Sequence, residues 1–246
     1  MAREPQILAC SGRARWPEGS PPGLTGAQVR QAMLLSGAGR PRVCLVPTAM
    51  GDSPVVIEAW YAMAPNFGPA ELSHLQLFPQ PNLPDVRAHL MTQDVIFVWG
   101  GSVVNLLAVW RAHRLEEVLR DCWAAGVVLA GGSAGSLCWH RCGVTDSFSD
   151  SLDPVTDGLG LLPFSNQVHF DADDQPRRSV YRTLVADGVL PAGYATEDGT
   201  ALHYVGTSLH EAVTIVPGKH AWQVAPSGGG GYQETALPTR YWLPPL

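Results

Sequence analysis

The chain has 246 residues, with 16 Lys plus Arg against 22 Asp plus Glu and a formal net charge of -6. Hydrophobic residues make up 46% and charged residues only 15%, against about 25% charged in ordinary globular chains. With 26 Gly and 21 Pro, this composition describes a buried sheet with many tight turns and excludes a disordered chain; the acidic balance speaks against a nucleic-acid partner, and no apolar run approaches the roughly 20 residues of a membrane helix.

The start, MAREPQILACSG, is too short in apolar residues for a secretory leader. Residues 7–10 are a strand candidate, and residues 25–35 follow a helical pattern, with Thr25 as cap and Val29, Met33 and Leu34 on one face. RVCLV (42–46) predicts a second buried strand. Residues 53–64 open with Ser-Pro, a helix-start signal. Residues 74–78 predict a third strand, and DVIFVW (94–99) a fourth that runs into Gly100-Gly101. Helices are expected over 103–113 and 115–125, the latter with Leu115, Val118, Leu119 and Cys122 on one face. Residues 126–130 (GVVLA) form the fifth strand candidate.

Strands that read as continuous apolar runs are buried on both faces. Their alternation with helices predicts an α/β fold, a mostly parallel sheet covered on both sides. Beyond Gly143 the pattern changes. A turn-rich apolar stretch covers 158–163, a helix is expected over 174–186, and short strands are expected from about 201 to 224. SGGGG (227–231) lacks a following GK[ST] and reads as a mobile loop, not a phosphate cradle. With no repeat and no linker, residues 1–246 are expected to form a single domain.

The five cysteines, Cys10, Cys44, Cys122, Cys138 and Cys142, include no C-x-x-C pair. They read as buried small hydrophobes in a reducing, cytoplasmic setting. Cys138 and Cys142 sit at helical spacing around His140, short of the ligands a zinc site needs. Trp60 and Trp110 read as core residues, with an interface between two copies as the other use for such side chains.

The most informative stretch is GVVLAGGSAGSL (126–137). It has the order strand, G-x-S-x-G at Gly131, Ser133 and Gly135, then helix. A nucleophile elbow requires this order, because the Ser must stand on a sharp turn flanked by small residues. The N–H of Ala134 can then face a developing oxyanion. Gly100-Gly101, at the end of another strand, leaves open N–H groups where α/β sheets place their ligands.

A Ser nucleophile needs a base and an orienting acid. Of eight His, His89, His113 and His140 fall in helical segments, and His74, His203, His210 and His220 lie in or beside strands and turns. His169 sits in NQVHFDADDQP between an apolar stretch and a helix. His169 with Asp171, Asp173 and Asp174 loosely suits a hard cation, but the acids read more simply as helix-start residues. Asp146, Asp150, Glu197 and Asp198 are the acids the spacing leaves open.

Taken together, VCLVPTAMGDS (43–53), VWGGSVVNLLAVWR (98–111), LAGGSAGSLCWH (129–140), TDGLGLLPFSNQVHFD (156–171) and ATEDGTALHYVG (195–206) resemble the peptidase E (α-aspartyl dipeptidase) family, which is related to cyanophycinase. The resemblance implies a flavodoxin-like fold of the class I glutamine amidotransferase type, with Ser in place of Cys at the elbow. It implies Ser133 as nucleophile, His169 as base, and Gly101 and Ala134 as oxyanion donors, with Gly100 beside the substrate. The acid is Asp198, or Asp146 where a member uses one soon after the elbow. Arg177 and Arg178 match the stretch that grips an N-terminal Asp side chain, which suits a bidentate guanidinium; a solvated helix face is the plainer reading.

The expected activity is cofactor-free and metal-free hydrolysis of short peptides, Asp-X dipeptides first. The chain departs from the family pattern at Ser102-Val103 and in SGRARWPEGSPP (11–22), which opens specificity to question. A carboxypeptidase, an esterase-like α/β hydrolase with a C-terminal His, and a silent binding module are the rival readings. A homodimer is compatible with all of them.

Overall fold

The computed structural model describes residues 4–12 and 24–242. Its elements, in chain order, begin with β1 (Gln6–Cys10), α1 (Leu24–Ser36), β2 (Arg42–Val46), α2 (Pro54–Ala62), β3 (Glu71–His74), α3 (Val86–Met91) and β4 (Val95–Val98). They continue with α4 (Val103–Ala112), α5 (Leu115–Ala124), β5 (Val128–Gly132), α6 (Ala134–Leu137), β6 (His140–Thr145), β7 (Asp153–Val155) and β8 (Leu162–Gln167). The last are α7 (Arg177–Ala186), β9 (Gly193–Thr196), β10 (Thr200–Val205), β11 (Ser208–Thr214), β12 (Ala221–Ser227), β13 (Gly231–Ala236) and β14 (Thr239–Tyr241).

Among the described residues the strands form two sheets. The first has eight strands in the order β14-β11-β10-β1-β5-β4-β2-β3. Its heart is parallel, from β1 through β5, β4 and β2 to β3. β10 joins β1 antiparallel and β11 joins β10 antiparallel. The fold is thus a flavodoxin-like α/β arrangement with an added antiparallel flank.

The apolar runs that predicted these strands are buried on both faces. Along β1, β2, β4 and β5, alternate residues enter two different cores: Ile7, Cys44, Ile96 and Leu129 pack with α4 and α5, while Leu8, Val43, Phe97 and Val128 pack with α1 and α2. Trp60 and Trp110 are fully buried, one in each core. All five cysteines are free and buried, and no described helix is long and apolar enough to cross a membrane.

The second sheet has six strands in the order β13-β12-β9-β8-β6-β7, with α7 packed on it through Tyr181 and Val185. Its existence was not expected from the sequence, and it corrects three assignments. The helix after the elbow is a single turn, and His140 opens β6 instead of continuing that helix. The carbonyls of Cys138 and Trp139 accept N–H groups of Leu159 and Leu162, so they are unavailable to a helical ladder. The apolar stretch at 158–163 leads into β8. The glycines at 228–230 close the β12–β13 hairpin, in which Ser227 pairs with Gly231.

Two further elements are displaced. The third strand ends at His74, where the expected strand began; Leu75 and Leu77 are buried, but the N–H groups of Leu77 and Phe78 go to the Asp52 carboxylate. α7 starts at Arg177, three residues late, because Pro176 takes its N-cap position. Helix α1 starts at Leu24; the Thr25 side chain and residues 13–22 of the departing loop lie outside the described residues.

His140 ties α6 to the eight-stranded sheet. Its Nδ1 meets the Ser136 carbonyl at 2.9 Å and its Nε2 meets the Tyr204 hydroxyl at 3.2 Å. Burial pushes its pKa down to about 4, against a partial upward pull from the Ser136 carbonyl. The folded protein therefore holds it neutral where the unfolded chain, with a pKa near 6.5, takes up a proton. Stability is intact above pH 6.5 and falls as pH drops toward 4, by a total on the order of 3 kcal/mol from this group. Urea unfolding of wild type and His140→Gln at pH 7.5 and pH 5 should show a shallower pH dependence in the variant.

Close packing at the elbow gives a second expectation. A Cβ on Gly135 would lie 2.2 Å from the Val98 carbonyl oxygen, while one on Gly39 meets nothing within 4 Å. Gly135→Ala should cost about 3 kcal/mol or prevent folding, and Gly39→Ala should leave the thermal melt nearly unchanged.

Candidate active site

The carboxyl ends of β1, β5 and β4, three adjacent parallel strands, converge where α/β sheets present ligand sites. Ser133 follows β5 with φ 56° and ψ -114°, a conformation costing a non-glycine residue roughly 1–3 kcal/mol. Hydrogen bonds hold it there. Its N–H donates to the Cys10 carbonyl at 3.0 Å, and its carbonyl accepts the N–H groups of Ser136 and Leu137. Ser133 occupies the N-cap of α6 but makes no side-chain capping bond. Its Oγ is therefore left for another partner.

That partner is His169, which follows β8 with φ 55°. Its Nε2 lies 2.9 Å from Ser133 Oγ, and its Nδ1 lies 2.5 Å from Asp198 Oδ1. A carboxylate only accepts, so Nδ1 carries the proton and Nε2 is the acceptor for the Ser133 hydroxyl. The His169 side chain is 9% exposed. The arrangement can take a proton from the hydroxyl and stabilise the imidazolium that results.

Asp198 sits in the turn between β9 and β10. Its N–H donates to Asp171 Oδ1 at 2.9 Å, and the other Asp171 oxygen pairs with Lys219 Nζ. Asp171 is thus drawn into the acid's support. Its neighbour Glu197 faces elsewhere, accepting from Trp222 Nε1 at 2.9 Å and the His220 N–H at 3.0 Å. Asp146, the other acid considered, is not behind His169. It accepts from Arg177 at 2.6 Å and Gln175 at 3.2 Å. Among the described residues, no group of three or more His, Cys, Asp or Glu side chains is arranged to hold a metal ion.

The Gly100-Gly101 turn lies against Ser133. A Cβ on Gly100 would come 3.1 Å from Ser133 Cβ. Gly101 has φ 138°, and a Cβ there would lie 2.3 Å from the Ala49 carbonyl oxygen, so this position accepts only glycine. Ala134 is the first residue of α6, and its N–H has no acceptor within the helix. Ser102 caps α4, its Oγ accepting the Asn105 N–H at 3.2 Å. Ser147 Oγ accepts the Val103 N–H at 3.1 Å. The segment holding Asp146 and Ser147 therefore fastens the Gly101 side of the site to the start of α7.

The two arginines carried over by resemblance are both paired with carboxylates. Arg177 is buried against Asp146. Arg178 pairs with Glu234 at 2.5 Å and lies over the rings of Phe170 and Trp222, 4.9 and 4.4 Å from their centroids. Arg182 shares the same Glu234 at 2.6 Å. Burial alone would raise the Glu234 carboxyl, but Arg182 and Arg178 outweigh it and hold it below the usual range.

Of the later histidines, His203 bonds Gln6 Oε1 at 2.9 Å and packs edge-on against His210, while His220 packs against Trp222. Sequence reasoning missed Ser11, Asp171 as a support, Lys219 and Glu234. Ser11 carried one usable signal, its position directly after a strand adjoining the elbow strand.

Comparison with known proteins gives the chain's family and its fold neighbours. The model of peptidase family S51 matches residues 26–212. The uncharacterized peptidase YgaJ of Bacillus subtilis is 38% identical over 204 residues, covering 82% of this chain and 85% of its own. Peptidase E of Shewanella denitrificans is 29% identical over 150 residues, 58% of this chain and 63% of its own. Among solved structures, a peptidase from an acI-B1 actinobacterium matches with a TM-score of 0.70 at 16% identity, over 96% of each chain. A putative peptidase E from Listeria monocytogenes matches with a TM-score of 0.62 at 17% identity, over 87% of this chain and 100% of that one. At those identities the structures speak for the fold.

The two acids have separable consequences. Asp146→Ala leaves the buried Arg177 guanidinium without this carboxylate, and since Asp146 itself is 41% exposed, the expected loss is about 1–3 kcal/mol in thermal or urea unfolding. Below its melting temperature this variant should still label at Ser133 with a fluorophosphonate at near the wild-type rate. Asp198→Asn should show the reverse, with a small change in stability and labelling slowed by orders of magnitude.

Proposed function

The chain belongs to peptidase family S51, and from that membership we propose that it is a serine peptidase acting on short peptides through an acyl-enzyme on Ser133. The observation that carries the reading is the hydrogen-bonded line from Ser133 Oγ through the His169 ring to Asp198 Oδ1. In this reading Ser133 Oγ attacks the scissile carbonyl while His169 Nε2 takes its proton. Asp198 stabilises the imidazolium and keeps its Nδ1 proton in place. The N–H groups of Gly101 and Ala134 hold the oxyanion, which in such sites supplies a large share of the rate. The imidazolium then protonates the departing amine. Water, deprotonated by the same His169, attacks the ester and regenerates Ser133.

A preference for Asp-X dipeptides is the finer part of the proposal. Such a preference needs a cation for the substrate's side-chain carboxylate. Arg178 and Arg182 share the single carboxylate of Glu234, so this cluster carries one positive charge in excess. Arg178 lies against Phe170, the residue after His169, and is the arginine assigned to that carboxylate. The five buried free thiols suit a reducing compartment, and the cytoplasm is the proposed place of action.

Ser133→Ala, assayed on Asp-X dipeptides, neutral dipeptides and N- or C-blocked peptides, should lose about 10⁴-fold or more in kcat while keeping its melting temperature. Full retained hydrolysis by this variant would overturn the mechanism. Faster cleavage of blocked peptides or neutral dipeptides than of Asp-X would overturn the specificity alone.

A further inference from the structure

We propose that Ser11 is a positioning residue for this site, acting through His169 and Asp198 without touching substrate. The inference rests on the serine-peptidase reading and adds to it the device that holds the three reacting side chains in register.

Ser11 is fully buried and directly follows β1. Its Oγ accepts the His169 backbone N–H at 2.9 Å and donates to Asp198 Oδ1 at 3.1 Å. The direction of both bonds follows from chemistry. The hydroxyl has one proton, the carboxylate can only accept it, and a lone pair is left for the amide N–H. The Ser11 main chain is equally committed. Its N–H donates to the Thr200 carbonyl at 2.8 Å, and its carbonyl accepts the Gly199 N–H and Gln28 Nε2, each at 2.9 Å. Residues 199 and 200 are the far side of the turn that carries Asp198, so Ser11 grips that turn by main chain and side chain together.

Three consequences follow. His169 holds an unfavourable positive φ, and the bond from its N–H to Ser11 Oγ offsets part of that cost. Asp198 Oδ1 receives two donors, the Ser11 hydroxyl and His169 Nδ1–H, which orients the carboxylate toward the imidazole. The third concerns the nucleophile. The Cys10 carbonyl accepts the Ser133 N–H, so neighbouring residues of one strand end hold all three members. Residue 10 holds Ser133 by its backbone, and residue 11 holds His169 and Asp198 by its hydroxyl. A displacement of about 1 Å at such a site can cost on the order of 100-fold in rate, which sets the scale for loss of this grip.

The test uses the full chain carrying Ser11→Ala, Ser11→Thr or Ser11→Cys, with three readouts. These are the thermal melt, kcat and KM on the best-cleaved dipeptide, and the downfield proton NMR resonance of His169 Nδ1–H. Ser11→Ala should remain folded at the assay temperature and lose about 10- to 100-fold in kcat, with KM within about twofold and the downfield resonance shifted or exchanged away. Ser11→Thr keeps the hydroxyl and should recover kcat and the resonance. If the alanine variant does not fold, Ser11→Cys, of similar shape but a weak donor, is read by the same criteria. An unmoved resonance, or kcat within twofold of wild type in the folded variant, overturns the proposal. The resonance reports the His169–Asp198 pair even in a chain that cleaves nothing, so failure of the serine-peptidase reading, seen with Ser133→Ala, is told apart from failure of this one.

Discussion

The backbone of Ser133 is the constraint from which the rest of the site follows. A serine at φ 56° and ψ -114° persists only where its surroundings over-determine it. Here the β1 carbonyl of Cys10 fixes its N–H, the first turn of α6 fixes its carbonyl, and glycines on either side let the turn press against the last carbonyl of β4. The strain has a chemical product. A serine at a helix N-cap ordinarily spends its hydroxyl on the helix; this one does not, and its Oγ is free to meet His169.

The scarcity of charge gains meaning at this point. With 15% charged residues, the chain places several of its ions in paired sets on the loops and elements next to His169 and Asp198. Asp171 is set against Lys219, Asp146 against Arg177, and Glu234 against Arg178 and Arg182. Each set joins segments far apart in sequence, so the ions act mainly as fasteners between loops. Exposed pairs of this kind add little stability, but those with a buried member are costly to break.

What could be read in advance depended on how far apart the cooperating residues lie. The parallel strands were legible because double burial leaves continuous apolar runs such as VIFV (95–98) and RVCLV (42–46), and the elbow because strand, small residues and Ser are contiguous. The six-stranded sheet was not. Its strands are short and mixed in polarity, as in HRCGVT (140–145) and AWQVAPS (221–227), and the spacing of Cys138 and Cys142 imitated a helix. His169 stood among eight histidines because its partners lie 36 and 29 residues away. Asp198 was favoured over Asp146 by resemblance and by its place beside a run of strands able to hold it rigidly. Ser11 had only its place directly after β1 to mark it, and a buried serine after a strand is usually satisfied by backbone.

Ser133 and Ser11 stand at strand ends of the eight-stranded sheet, His169 follows a strand of the six-stranded one, and Asp198 stands in the turn where the chain passes from one to the other. A newly made chain can therefore complete all five parallel strands of the first sheet and still lack the partners of the Ser133 hydroxyl. The line from Ser133 through His169 to Asp198 closes only when residues near position 198 have been synthesised and docked. On the proposed mechanism, a peptidase assembled in this order is unarmed while its own unfolded segments are most exposed to cleavage, and any separation of the two sheets would disarm it again.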